Sequence, residues 1–380
     1  MQIIINAGGT GTRLWPLSTN KTPKQFVKLI DEQNFVQKTF ERLSKKFDTN
    51  QIWLSTNQKF QQLAQESLPG DFLSSHLLLE NEKRDTFASI LAQTAVVAHF
   101  VGKNEPLIFI ASDHLIDDND WEKFNSGLLE MAKTLQTDDF ELMIAGIVPT
   151  FANTELGYIE IAADIQKSEN RNSNQKTDYT ALKVASFREK PDLATAEEFL
   201  KSENFLWNLG YFATTYDILL QNLTKHNPEL VGIVTQIYEK GQITPELYSQ
   251  IPKNSIDFAL VEKLTKIGAV KMEINWQDIG NWDIVKNFLP NIATLDEPNS
   301  NKNVENTDKK KSSENNLKSQ KPSFLQIAGK NNKVKSQNNR RITLIGVSNL
   351  LVVESDDGIL VIDPSHAPLV KKAVEYFEEG

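Results

Sequence analysis

The sequence predicts an α/β fold with a mixed, mostly parallel sheet followed by a small β-rich piece, and two observations carry that prediction. Through the first half, short β-branched runs alternate with longer amphipathic stretches. Strand, helix, strand in repetition requires right-handed crossovers and a sheet covered on both faces. Beyond a polar stretch near residue 300, short strands return at close spacing with turn signals between them.

In chain order, Gln2–Asn6, Gln51–Ser55, His76–Glu80, Leu107–Ala111 and Glu141–Val148 read as strands, because each is a short apolar run bounded by polar residues. Gln58–Ser67, Asp85–Phe100 and Asp120–Leu135 read as the helices between them. From about residue 150 the alternation loosens. Strands are expected at Tyr158–Ala162, Ala181–Phe187, Tyr211–Thr214 and Val270–Ile274, with helices at Leu193–Ser202, Tyr216–Leu223 and Leu230–Glu239. The polar run Lys167–Asp178 reads as a long hairpin loop. Residues 296–322 have few apolar side chains and cannot bury enough surface to offset the entropy of ordering, so they read as a flexible linker. This divides the chain into 1–295, the linker 296–322, and a small domain over 323–380. In the last, Phe324–Ala328, Arg341–Gly346, Leu350–Glu354 and Gly358–Ile362 read as strands and His366–Glu378 as a closing helix.

The 380 residues allow a large core, and a net charge of -9 argues against sequence-independent nucleic-acid binding, which needs a basic surface. Any phosphate site must therefore be local. No stretch approaches a membrane span and the N-terminus lacks the basic lead of a signal peptide, so a cytoplasmic protein is expected. Cysteine is absent, which rules out disulfides and thiolate chemistry.

The stretch AGGTGTRLWPLSTNKTPKQF, Ala7 to Phe26, carries the most chemistry. Glycines in a turn at the end of a strand can present backbone N–H groups to phosphate oxygens. A dinucleotide fingerprint would need a third glycine where Leu14 stands, and a P-loop would need a GK[ST] that is missing. A third reading makes Arg13 and Lys24 part of the site: a planar fork and a compact point charge that together grip the leaving end of a nucleoside triphosphate. For the glycines alone, a purely structural turn competes with it.

The whole stretch resembles the signature of the sugar-nucleotide pyrophosphorylases, in the variant of the mannose-1-phosphate guanylyltransferase family. SDH (Ser112–His114), GIVPT (Gly146–Thr150), LGYI (Leu156–Ile159), FREKP (Phe187–Pro191), WNLGYF (Trp207–Phe212), SIDFALVEK (Ser255–Lys263) and WQDIGNW (Trp276–Trp282) come in that family's order, as does ITLIGVSNLLVVESDDGILV in the C-terminal piece. The resemblance implies a Rossmann-like nucleotidyltransferase domain with a left-handed β-helix-like tail. It implies that GTP and mannose 1-phosphate give GDP-mannose and pyrophosphate, and that the enzyme is a homodimer. The rivals are a nucleotidylyltransferase with another base or sugar, and a non-catalytic sensor of nucleotide sugars.

The same resemblance implies residue roles. Gly8, Gly9, Thr10, Gly11, Thr12, Glu80, Asp85 and Ser112 would bind the nucleotide, with Arg13, Lys24 and Lys190 catalytic and Lys190 on the sugar phosphate. Glu189 and Asn208 would take the mannose hydroxyls, with Gly157 letting the backbone pass close. Asp113 and Asp278 would hold Mg²⁺, a hard cation suited to carboxylate and phosphate oxygens. Asp113 also comes after a buried strand, where open α/β sheets place their ligands. Taken alone it reads as a helix cap, and Glu189–Lys190 as a solvated pair. His114 is expected to be structural, because the attacking phosphate is already ionised. The chain departs from the family at Asp85, where an asparagine is usual, at Asn81, where a proline is, and at Glu155 and Leu156, which replace the first Gly-Tyr of a Thr-Gly-Tyr-Gly-Tyr run.

Overall fold

The computed structural model describes residues 1–9, 11–137, 139–162, 179, 181–289, 293–295, 324–338 and 340–378. The expected linker 296–322 and the expected loop Lys167–Asp178 lie outside them. Contacts divide the chain into two compact units, one of Met1–Gly9 with Phe35–Asp278, the other of Thr10–Asn34 with Ile279–Gly380.

The first unit is built on β1 (Gln2–Asn6), β2 (Ile52–Asn57), β3 (Leu77–Glu80) and β4 (Leu107–Ala111). These pair in parallel in the order β3-β2-β1-β4, with Ile4 opposite Trp53 on one side and Phe109 on the other. Ile3, Ile4 and Ile5 are fully buried, which is why the run is continuously apolar rather than alternating. The connections are helical: α1 (Phe35–Ser44), α2 (Gln61–Ser67) and α3 (Asp85–Val101). Helix α3 is buried from Phe87 to Ala98 apart from half-buried Ser89, the pattern of a helix with core on nearly every side.

The sheet continues through β6 (Leu142–Ile147), β7 (Tyr158–Ile161), β8 (Ala181–Arg188), β9 (Phe205–Thr214) and β10 (Ile267–Lys271) in the order β4-β9-β6-β10-β8-β7. Here the expectation of a mostly parallel sheet is corrected. Only β6 and β10 are parallel in this half; β9 runs against β4, β6 and β7, and β8 runs against β10 and β7. Strand β9 is also longer than the expected Tyr211–Thr214. Gly210, at φ 67, lies within the strand, and the ladder accommodates it with a register shift between Ile144 and Gly146. Strand β10 begins at Ile267, ahead of the expected Val270, since both its edges are paired.

A small antiparallel ribbon escapes periodicity altogether. It joins β5 (His114–Ile116) to β11 (Trp276–Asp278), with Asp278 opposite His114.

In the second unit β12 (Ala293–Leu295), β14 (Asn332–Ser336), β16 (Leu351–Ser355) and β17 (Gly358–Ile362) form one sheet, while β13 (Phe324–Ile327) and β15 (Ile342–Ile345) pair in parallel. Strand β14 was hidden in sequence by the turn signal GKNN. Its first residue, Asn332, is buried and ties successive turns together: Nδ2 donates to Val347 O at 2.8 Å, and Oδ1 accepts from Leu350 N–H at 2.9 Å. The stretch after Gly11 packs within this same unit. The Trp15 carbonyl accepts from Trp282 Nε1 at 2.9 Å, and the Pro16 carbonyl from Ser355 Oγ at 2.9 Å. Among the described residues no helix is long and apolar enough to cross a membrane.

Candidate active site

Strand β4 delivers the chain to Ser112, which is buried and held from both sides. Its N–H donates to Asn6 O at 3.0 Å, and its carbonyl accepts from Thr39 Oγ1 at 3.0 Å. Asp113 is next, at the sheet's carboxyl edge. The β5–β11 ladder sets Asp278 across from His114, so two acids far apart in sequence lie in neighbouring backbone positions. Burial raises the pKa of the Tyr211 hydroxyl, and both acids lie close enough to raise it further. His114, expected to be structural, places Nδ1 2.9 Å from that hydroxyl. Among the described residues there is no group of three or more His, Cys, Asp or Glu that could hold a metal.

In the antiparallel half, strand register assembles Gly157, Glu189 and Asn208. Tyr158 on β7 lies opposite Arg188 on β8 and Trp207 on β9. In antiparallel ladders the residue before one position faces the residue after its partner, so Gly157 meets Glu189 and Asn208. The Asn208 N–H donates to Gly157 O at 2.8 Å. A Cβ at Gly157 would lie 2.7 Å from Glu189 Oε2 and 3.1 Å from Phe187 Cζ, so the glycine leaves room for the carboxylate. Glu189 Oε1 pairs with the exposed Lys190 Nζ at 3.0 Å, and Lys190 itself has φ 43. Alongside lies a cleft of about 610 Å³ whose walls include Phe187, Arg188, Glu189, Phe258 and Glu262.

The structure adds Asp257 to this region, a residue of the SIDFALVEK run with no role expected from sequence. Its Oδ1 is buried and has no hydrogen-bond partner. Burial, reinforced by the negative charge of Glu189, pushes its carboxyl up to about 6. The available signal was a lone acid between Ile256 and Phe258, in a run where apolar residues dominate.

Glu80 closes β3, and its carboxylate is fully engaged within the unit. Oε1 accepts from Ser55 Oγ at 3.1 Å, from Gln93 Nε2 at 3.1 Å and from Ser89 Oγ; Oε2 accepts from Tyr248 hydroxyl at 3.0 Å. Asp85 is different. It is exposed, starts α3 at φ 64, and accepts the Thr86 N–H at 2.9 Å. Asp and Asn reach this left-handed region more readily than other side chains, which accounts for an Asp here.

The glycines of the signature differ in what they supply. Gly9 has φ 86 with open space around it, so only its backbone conformation demands glycine. Gly8 is exposed with open space too. In the second unit Gly11 has φ 62, and a Cβ there would lie 2.5 Å from Lys24 Cβ. The PKQF segment is thus packed directly on the glycine turn. Thr12–Leu14 form a short 3-10 turn that buries Leu14 and exposes Arg13. Lys24 is buried, and its Nζ donates to Ile279 O at 2.7 Å. Thr10 lies outside the described residues.

Residues 2–293 match the nucleotidyl transferase family. The chain belongs to that family. As a nucleotidyl transferase it is similar along 99% of its length to the mannose-1-phosphate guanylyltransferase of Salmonella muenchen, at 29% identity and over 73% of that protein. It is 30% identical to the xanthan biosynthesis protein XanB of Xanthomonas campestris pv. campestris, over 99% of this chain and 73% of that one. Among solved structures, a mannose-1-phosphate geranyltransferase from Thermus thermophilus superposes with a TM-score of 0.74 at 25% identity, covering 99% of both chains. The Rossmann-like α/β architecture of the nucleotidyltransferases is therefore the architecture of this chain.

Within this nucleotidyl transferase, the expected residues fall into local groups. Asp113 adjoins the Asp278 ladder, and Gly157, Glu189, Lys190 and Asn208 come together. Gly11 and Lys24 touch. Glu80 is bound into a network of hydroxyls and an amide, apart from the exposed Asp85.

Proposed function

We propose that the protein transfers GMP from GTP to mannose 1-phosphate, releasing pyrophosphate. The reading is carried by one observation: register brings Gly157, Glu189 and Asn208 together beside Lys190, in a chain similar from end to end to proteins named for this activity. An oxygen of the sugar phosphate forms a bond to the α-phosphorus while the α–β anhydride bond breaks and pyrophosphate leaves. The attacking oxygen is already ionised, so no base is required. The protein's work is alignment and charge neutralisation.

Each group then has a task. Backbone N–H groups of Gly8 to Thr12 and Ser112 receive the nucleotide phosphates, and Arg13 with Lys24 neutralises the leaving pyrophosphate. Lys24 is fixed for this by its bond to the Ile279 carbonyl. Lys190 takes the sugar phosphate, and Glu189 and Asn208 accept and donate to the sugar hydroxyls. Asp85 accepts from guanine N1–H and N2–H, as a carboxylate can; Glu80 holds the floor from which α3 starts. The Asp113 and Asp278 pair fits Mg²⁺, which keeps water and substrate phosphate among its ligands and so is held by one or two carboxylates. When bound, it supplies Lewis-acid neutralisation of phosphate charge. The β-rich C-terminal strands are read as a left-handed β-helix-like piece, and the working form as a homodimer in the cytoplasm.

Incubation with each of the four nucleoside triphosphates and a panel of sugar 1-phosphates tests the proposal. GDP-mannose from GTP with Mg²⁺ is the expected product. A different nucleotide sugar, or none, would overturn it.

A further inference from the structure

The ribbon that carries the acidic pair is too small to keep its shape unaided. Its strands have three residues each, and even a full two-stranded hairpin is marginal in water. The ribbon keeps its register because it is clamped from the core.

Tyr211, on β9, is buried, and its hydroxyl lies 2.9 Å from His114 Nδ1. His114 comes directly after Asp113 in sequence and lies opposite Asp278 in the ladder, so this one residue adjoins both acids along the backbone. The same ring meets Trp276 edge-on at 4.9 Å, and Tyr211 meets Phe124 edge-on at 6.0 Å. Behind them the buried Arg42 lies over Phe124 and donates to the Ile116 carbonyl at 3.4 Å, holding the far end of β5. These contacts come from three different elements, α1, β9 and the helix Trp121–Leu135.

We propose that Tyr211 is a positioning residue for a divalent cation, its hydrogen bond to His114 setting the relation between Asp113 and Asp278. The inference rests on the reading of those two acids as the cation's ligands. The contact holds the imidazole in either tautomer. Burial holds the pKa of the phenol above its ordinary value despite the opposing charge of Arg42, so it orients the ribbon without adding charge to it. Partners that hold a metal ligand from behind are typically worth roughly 10–100-fold in metal affinity.

Tyr211→Phe keeps the ring and deletes the hydroxyl. Mn²⁺ is titrated into protein saturated with GTP, without sugar phosphate, and bound and free ion are separated by electron paramagnetic resonance. Expected is a roughly tenfold loss of Mn²⁺ affinity, with the melting temperature and the metal-free GTP affinity unchanged. His114→Gln breaks the same contact from the other side and is expected to show the same loss; it carries the test if the Tyr211 variant does not fold. Wild-type Mn²⁺ affinity in the variants, with affinity lost in Asp113→Asn, would overturn the positioning role alone. Wild-type affinity in Asp113→Asn as well would overturn the metal reading and the proposal with it.

Discussion

In the half of the sheet ordered β3-β2-β1-β4 every pairing is parallel, and the residues of interest sit at strand ends: Gly8 and Gly9 after β1, Ser112 and Asp113 after β4, Glu80 at the end of β3. In the half that includes β9, β8 and β7 the pairings among these strands are antiparallel, and the residues of interest meet sideways across the ladders. Gly157, Glu189 and Asn208 come from three neighbouring stretches and share one spot because Tyr158 pairs with both Arg188 and Trp207. The first arrangement places these residues where strands end, at the carboxyl edge of the parallel sheet. The second brings residues from three separate stretches together at one spot across the ladders.

Asp113→Ala tests the parallel half and carries the largest expected effect. Loss of a charged group at the reacting phosphates is expected to lower turnover roughly 10²–10³-fold, read as steady-state rate across a Mg²⁺ series. Turnover within a few-fold of wild type would show that the strand end after β4 is structural, and the contrast between the halves would fail.

In the antiparallel half the expected effects are smaller and depend on pH. The Asp257 carboxyl is raised to about 6 by burial and by Glu189. Between about pH 4 and 6 the folded protein therefore keeps a proton that the unfolded chain has released. Stability falls as pH rises through that window and stays lower above it. Asp257→Asn removes the penalty, so the variant is expected to be more stable at about pH 7.5 by roughly 3 kcal/mol, with the gap closing near pH ~4. Thermal melts at both pH values check this; an equal gap at each would mean the acid does not titrate there.

Gly157→Ala gives the smallest effect and the sharpest comparison. The added methyl must displace the Glu189 carboxylate, which lies 2.7 Å from the site of the new Cβ. KM for mannose 1-phosphate is expected to rise roughly tenfold, with KM for GTP unchanged. A rise in both would mean that the two halves do not divide the substrates between them.

Periodicity alone located β1, β4 and helix α3, because an apolar run such as Ile3–Ile5 or Leu107–Ile110 has few other ways to be buried. Motif order supplied candidate residues, including Gly157, Glu189 and Asn208, but not their proximity. The expected Tyr211–Thr214 covers only the last part of β9, whose earlier residues are ordered by pairing with β6 and β7. The ribbon β5–β11 was invisible for a similar reason: three residues are too few for a period.

Taken by itself, then, the sequence determined the alternation of elements, the charged glycine turn and the identities of the polar residues, all of which are local properties of the chain. Tertiary structure alone decided that half of the sheet is antiparallel, that Gly11 must be glycine to admit Lys24, that Glu80 is tied to Ser55, Ser89, Gln93 and Tyr248, and that Asp257 lies beside Glu189. Each of these depends on register or burial between segments distant in sequence. No local pattern carries that information, because the partner's position is set only when the sheet is assembled.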